Sequence, residues 1–245
     1  MLPIRDENPT LHPPVVTYGL IAANIAIWIL LQGMGNEPAL SRSVCSFGLF
    51  PAELLGHVAP GTEVQVGPGQ SCAIGGSPRL LSILTSMFTH GSWFHVLGNM
   101  WFLHVFGNNV EDVMGHFRFL VFYLLGGLAA ALAQVFTGPD STIPMIGASG
   151  AIGSVMGSYA LLYPRVGIRT FVFLGFWAQM VVIPAVFMLG YWFVIQLASG
   201  ALAPGEGGGV AFWAHVGGFL TGICLTPVFR NSRLLEAHRA MAAAR

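Results

Sequence analysis

The sequence predicts an all-α polytopic membrane protein, a six-transmembrane-helix bundle with both termini cytoplasmic. Three observations carry that expectation. Among 245 residues, 54% are hydrophobic and 8% are charged, against roughly 25% charged in an ordinary soluble domain. The apolar residues gather into six runs with almost no charge inside them. Ten basic residues, every one an Arg, balance ten acidic ones, so the chain lacks the basic surplus of a nucleic-acid binder. Disorder is excluded too, because disordered chains are poor in hydrophobic residues and rich in charge.

A helix needs about 20 mostly apolar residues to cross a hydrocarbon core of roughly 30 Å. The first span is Val15–Gly33, which carries no charge. Before it, residues 1–14 form a cytoplasmic segment holding Asp6, Glu7 and prolines. That segment lacks the basic start of a cleaved signal peptide, so the first span is expected to be retained. A long outer loop, residues 34–94, follows, and its amphipathic stretches Phe47–Leu55 and Leu80–Phe88 read as interfacial helices. Cys45 and Cys72 share this loop, where an oxidising compartment could join them. Sequence alone leaves the pairing open, because it does not supply the Cα separation a disulfide needs.

The second span covers His95–Val110, the third Arg118–Phe136 and the fourth Gly150–Tyr163. The fifth is Thr170–Ala198, interrupted by Pro184. The sixth is Val210–Phe229, with Cys224 read as a small buried apolar residue. Ser199–Gly209 between them is a Gly/Pro-rich outer loop expected to be mobile. Residues 15–229 thus form one membrane domain, and 230–245 a cytoplasmic tail. Six spans put both termini on one side, which collects Arg5, Arg118, Arg165, Arg169, Arg230, Arg233, Arg239 and Arg245. Only Arg42 and Arg79 fall on the other side, and this bias sets the orientation. No fixed-period repeat relates the spans, so an inverted-repeat transporter gains no support.

A polar side chain is costly to bury in lipid, so each one inside a span is a functional candidate. Four stand out: His95, Asn99, Ser149 and His215. His95 and Asn99 are four residues apart and share a helical face, as an interhelical glue or as a strip of donors. His104 lies nine residues from His95, on the opposite face, and reads as packing or interfacial. His90, just outside the span, reads as a cap. A zinc site from His90, His95, His104 and His116 is unattractive, because their spacings scatter them over different faces.

Ser149 opens the fourth span, whose fourteen residues cover about 21 Å at 1.5 Å per residue. Pro164 and Arg165 hold its far end at the cytoplasmic interface, so Ser149 sits below the outer surface, at a helix N-terminus suited to an oxyanion. Ser149, Gly153 and Gly157 form a face of small residues, as do Gly218 and Gly222 beside His215. Two such faces allow close backbones, which would bring a Ser and a His together for base-assisted nucleophilic attack. No acid lies between Asp140 and Glu206, so the expectation is a dyad whose imidazole is held by packing.

These residues resemble the rhomboid family of intramembrane serine proteases. The likeness covers about Phe47 to Thr226. It rests on FGLFPAEL at Phe47–Leu54, HGSWFHVLGNMWFLHVFGNNVED at His90–Asp112, GHFRFLVFYLLGG at Gly115–Gly127, GASGAIGSVMG at Gly147–Gly157 and AHVGGFLTG at Ala214–Gly222. The resemblance implies Ser149 as nucleophile, His215 as general base, and His95 and Asn99 as oxyanion-hole donors beside the Ser149 amide. It implies transmembrane protein substrates that enter beside the fifth span and under Ser199–Gly209, and no metal or organic cofactor. Two positions depart from the family pattern. Leu81-Ser82 stand where many members carry Trp-Arg, and Gly153 where some stack an aromatic ring on the histidine. The competing expectations are a catalytically silent relative that binds transmembrane helices, and a small transporter. The first predicts loss of Ser or His, and the second a charged pathway, which the spans lack. A lysine-free, Ala-, Gly- and Arg-rich chain points to a GC-rich bacterial genome, hence a multi-pass protein of the bacterial inner membrane.

Overall fold

The structure is a computed structural model that describes residues 1–67, 69–175, 177–202 and 210–243. Ten α-helices and five strands occur among them. The helices are α1 (Val15–Leu30), α2 (Ala39–Phe47), α3 (Pro51–Leu54), α4 (Ser82–Thr85), α5 (Trp93–Met114), α6 (His116–Thr137), α7 (Ser149–Leu162), α8 (Ala185–Leu202), α9 (Phe212–Phe229) and α10 (Ser232–Ala243). The strands are β1 (Leu2–Asp6), β2 (Thr62–Gly67), β3 (Gln70–Ile74), β4 (Gly167–Leu174) and β5 (Trp177–Pro184).

Six helices form the bundle: α1, α5, α6, α7, α8 and α9. Of these, α6, α8 and α9 are long and apolar enough to cross a membrane, while α1 and α7 are shorter apolar helices. The short α7 is the axis of the fold, packed against α5, α6, α8 and α9. Eleven of its fourteen residues are buried, so protein rather than lipid surrounds it.

Small residues set the spacing around α7. A Cβ added at Gly222 or Gly218 of α9 would strike the Ser154 or Gly150 carbonyl, and one at Gly157 would strike Phe219 of α9. The two glycine-lined faces therefore meet backbone to backbone. Two acidic side chains at the end of α5 anchor the N-terminal region. Glu111 accepts hydrogen bonds from the Val16 and Thr17 amides at 2.8 and 2.7 Å, satisfying the free N–H groups that open α1. Asp112 accepts from the Leu11 and His12 amides at 2.8 and 2.9 Å.

The expected fifth span is corrected. Residues 167–184 form the β4–β5 hairpin, with β1 pairing antiparallel to β4, and the helix begins only at Ala185. The run was apolar enough to pass for a span. Its β-branched and aromatic alternation, a turn at Gly175 (φ +61°) and a Pro that cannot continue a helix backwards make it a hairpin.

The outer-loop stretches are likewise too short for interfacial helices. They yield only α3, α4 and a 3₁₀ turn at Ser86–Phe88, while β2 and β3 form a second hairpin. Cys45 and Cys72 are joined in a disulfide, Cα atoms 5.6 Å apart, linking α2 to β3. The C-terminal tail contains α10, which docks on α5. Cys224 is exposed on the outside of the bundle, about 200° around α9 from the Gly222 contact at 100° per residue. Of Ser199–Gly209, residues 199–202 end α8 and 203–209 lie outside the described residues.

Candidate active site

Ser149, His215, His95 and Asn99 line one cavity of about 340 Å³ between α5, α7, α8 and α9. Each is placed by a local feature of its own element. Ser92 caps α5 by accepting from the His95 amide at 3.1 Å. The Gln32 side chain clamps the preceding turn, donating to the His90 carbonyl at 2.7 Å and accepting from its amide at 2.9 Å.

The His90 ring is fully buried, with neither nitrogen hydrogen-bonded. It packs edge-on against His95 with ring centroids 5.1 Å apart. Burial, and then the neighbouring His95, push its pKa down to about 3, so it stays neutral. The Gly91 amide donates to His95 Nδ1 at 3.4 Å, which leaves the His95 proton on Nε2. That Nε2–H and the Asn99 amide both face Gly147. A Cβ built there would lie 2.5 Å from His95 Nε2 and 3.5 Å from Asn99 Nδ2. Gly147 has φ +116°, so glycine is required both for its backbone and for the space beside the two donors.

Residues 144–148 lead non-helically into Ser149, and the outer loop holds them. Leu49 and Met145 exchange backbone hydrogen bonds at 3.1 and 2.7 Å, and the Gly147 amide donates to the Ser86 carbonyl at 2.8 Å. Non-helical backbone is thereby satisfied inside protein. Ser149 then starts α7, whose first N–H groups lack intrahelical partners and carry the positive end of the dipole. The Ser149 Oγ lies 2.7 Å from His215 Nε2.

The sequence expected packing alone to hold His215. The structure adds a hydrogen bond: His215 Nδ1 lies 2.7 Å from Gln196 Oε1 of α8. One turn earlier, Trp192 sets its ring 5.7 Å from the imidazole. Both residues were missed, although an amide inside an otherwise apolar helix was the signal that could have revealed Gln196. The remaining histidines go elsewhere. His104 sits 6.0 Å from the Tyr18 ring, and His116 pairs with Glu111 at 2.6 Å. No group of His, Cys, Asp or Glu among the described residues is arranged to hold a metal.

The Rhomboid domain family matches residues 77–232, well over half of the chain. The chain belongs to the rhomboid family. Rhomboid protein 1, mitochondrial, of Saccharomyces cerevisiae is 27% identical over 166 residues, covering 66% of this chain and 40% of the relative. The human presenilin-associated rhomboid-like protein, mitochondrial, is 27% identical over 151 residues, covering 60% and 32%. Rhomboid-like protein 11, chloroplastic, of Arabidopsis thaliana is 32% identical over 84 residues, covering 34% and 29%. This rhomboid chain spans less than half the length of those relatives. Their names place them in mitochondria and chloroplasts, so they lend no support to the expected bacterial type or bacterial inner membrane.

The two departures from the rhomboid pattern have structural answers. Gly153 packs closely on α9, where an added Cβ would lie 3.1 Å from the His215 carbonyl, and the ring beside His215 comes instead from Trp192 of α8. At Leu81-Ser82, Leu81 is exposed and Ser82 donates to the Arg79 carbonyl at 2.6 Å. The guanidinium that ties this loop down belongs to Arg79, whose Nε donates to Glu53 at 2.9 Å and whose charge lies 5.7 Å over the Phe50 ring.

Proposed function

We propose that this rhomboid is an intramembrane serine endopeptidase that cleaves transmembrane segments of other membrane proteins. The observation that carries the reading is the 2.7 Å contact between Ser149 Oγ and His215 Nε2, set beside donors that converge on Gly147. His215 Nε2 takes the Ser149 proton as Oγ attacks the scissile carbonyl. His95 Nε2–H, Asn99 Nδ2–H and the Ser149 amide stabilise the tetrahedral oxyanion. The imidazolium then protonates the leaving amine, and water deacylates the serine by the reverse proton path. Every step uses a side chain, an amide or water, so the reaction as written calls for no metal or organic cofactor.

The membrane arrangement belongs to the same reading. Six spans with both termini cytoplasmic are supported by the arginine bias and by a bundle of six helices, five of which coincide with the expected apolar runs. The Cys45–Cys72 bond suits an outer loop in an oxidising compartment. Substrate enters beside α8, toward residues 199–209. The lysine-free composition is what supports a bacterial inner membrane.

The test is cleavage of a transmembrane substrate in liposomes, with labelling by a serine-directed activity probe. Ser149→Ala and His215→Ala are each expected to bring cleavage to background, a loss on the order of 10⁶-fold in kcat, while the bundle stays folded. Cleavage of the same bond by the Ser149→Ala protein refutes the assignment. Folded wild type that the probe never labels points to a helix-binding relative.

A further inference from the structure

Gln196 is the one amide of α8, AVFMLGYWFVIQLASGAL, and a polar group inside an apolar span carries a desolvation cost that something must offset. Its Oε1 lies 2.7 Å from His215 Nδ1, on the far side of the imidazole from Ser149. Both ring nitrogens are therefore engaged at 2.7 Å, Nε2 by Ser149 Oγ and Nδ1 by Gln196. Trp192 precedes Gln196 by four residues, on the same helical face, and flanks the same ring at 5.7 Å.

We propose that Gln196 is the positioning residue of the dyad: its carbonyl fixes His215 in the Nδ1–H tautomer and orients Nε2 at Ser149. The proposal rests on the reading of Ser149 and His215 as nucleophile and base. A carbonyl oxygen only accepts, so Nδ1 must carry the ring proton and the Nε2 lone pair must face the Ser149 hydroxyl. When Nε2 takes the serine proton, the Nδ1–H···Oε1 bond becomes charge-assisted and strengthens. It is thus stronger in the transition state than in the ground state, which is the condition for accelerating the chemical step. A neutral amide does this without placing a carboxylate in the bundle, where a charge is expensive. Soluble serine hydrolases give the orienting role to an acid. Here α8 supplies it with an uncharged side chain, so the alignment of the dyad depends on α8 being docked against α9.

Three measurements on the full chain in liposomes or detergent test this. Gln196→Met, similar in length but without the acceptor, is expected to lower kcat about 10- to 100-fold, the value of a hydrogen bond to a charged group. Its KM for a transmembrane substrate should stay near wild type. Gln196→Glu restores an oxygen acceptor and retains more activity than Gln196→Met. Its negative charge favours imidazolium, so the acidic limb of its pH–rate profile should move to higher pH. In histidine-labelled wild type, NMR should find the His215 proton on Nδ1 in a downfield, slowly exchanging signal that Gln196→Met loses.

A folded Gln196→Met protein with wild-type kcat, pH profile and Nδ1–H signal overturns the proposal. So does a wild-type His215 protonated on Nε2. Either failure is separable from failure of the parent reading, which would instead appear as cleavage surviving in Ser149→Ala.

Discussion

Asn99 turns a buried amide nitrogen into the cavity without any hydrogen-bond partner. Such a group normally costs stability, on the order of 1–3 kcal/mol, and it is tolerated where a ligand or reacting atom will supply the partner. His95 shows the same logic by a different route, with Gly91 occupying Nδ1 and leaving Nε2 as the free donor. Asn99→Ala is therefore expected to lower kcat about 10²–10³-fold, with KM changed much less. Because the alanine removes an unpaired buried donor, the thermal midpoint should hold or rise, which separates a lost donor from a damaged fold. A kcat indistinguishable from wild type removes Asn99 from the oxyanion site. At this scale the sequence was informative. A helical spacing of four put His95 and Asn99 on one face, and the start of the short apolar run put Ser149 at a helix N-terminus. Gln196 escaped because its meaning lies in a contact with His215 from another helix, which no spacing within α8 encodes.

The glycine-lined faces of α7 and α9 decide how near Ser149 can come to His215. An alanine at Gly222 would drive its Cβ into the Ser154 backbone, which cannot rotate away, whereas at Gly190 of α8 nothing lies within 4 Å. Gly222→Ala is expected to cost at least about 1–3 kcal/mol by overpacking and to suppress cleavage by parting the dyad. Gly190→Ala should leave both unchanged or gain slightly from alanine's helix propensity. Thermal unfolding in detergent and a cleavage assay on the pair decide it; equal behaviour of the two variants sinks the packing argument. These faces could be read from sequence because small residues at a spacing of four have one structural use. The β4–β5 hairpin was missed because its apolar run is long enough for a lipid-spanning helix, although its β-branched and aromatic alternation and the turn at Gly175 already favoured a sheet. Pairing with β1, from the other end of the chain, selected the sheet.

Across the whole molecule, the N-terminal segment ties the sheet to α7, the helix that carries Ser149. β1 lies against β4, and Tyr159 of α7 donates to the Asp6 carboxylate at 2.7 Å. Burial pushes Asp6 up from 3.8 to about 6, against the opposing pull of its hydrogen bonds. The folded state therefore holds the proton more tightly than the unfolded state does. Stability from this group is present below about pH 4 and is lost as pH rises toward about 6. Asp6→Asn lacks the ionisation, so its stability advantage over wild type should grow across that interval and level off above it. Thermal midpoints of the two proteins between pH 4 and 7 test this; a difference that stays flat or runs the other way contradicts the burial of Asp6.

By itself the sequence determined the membrane class, five of the six bundle helices and four cavity residues, because helical periodicity and apolar run length are local quantities. Only the tertiary structure decided the hairpin before α8, the Cys45–Cys72 link and the Gln196–His215 contact. The disulfide and the Gln196–His215 contact join residues 27 and 19 positions apart, and β1 from the far end of the chain completes the hairpin's sheet, so packing geometry between segments selects what no single segment specifies.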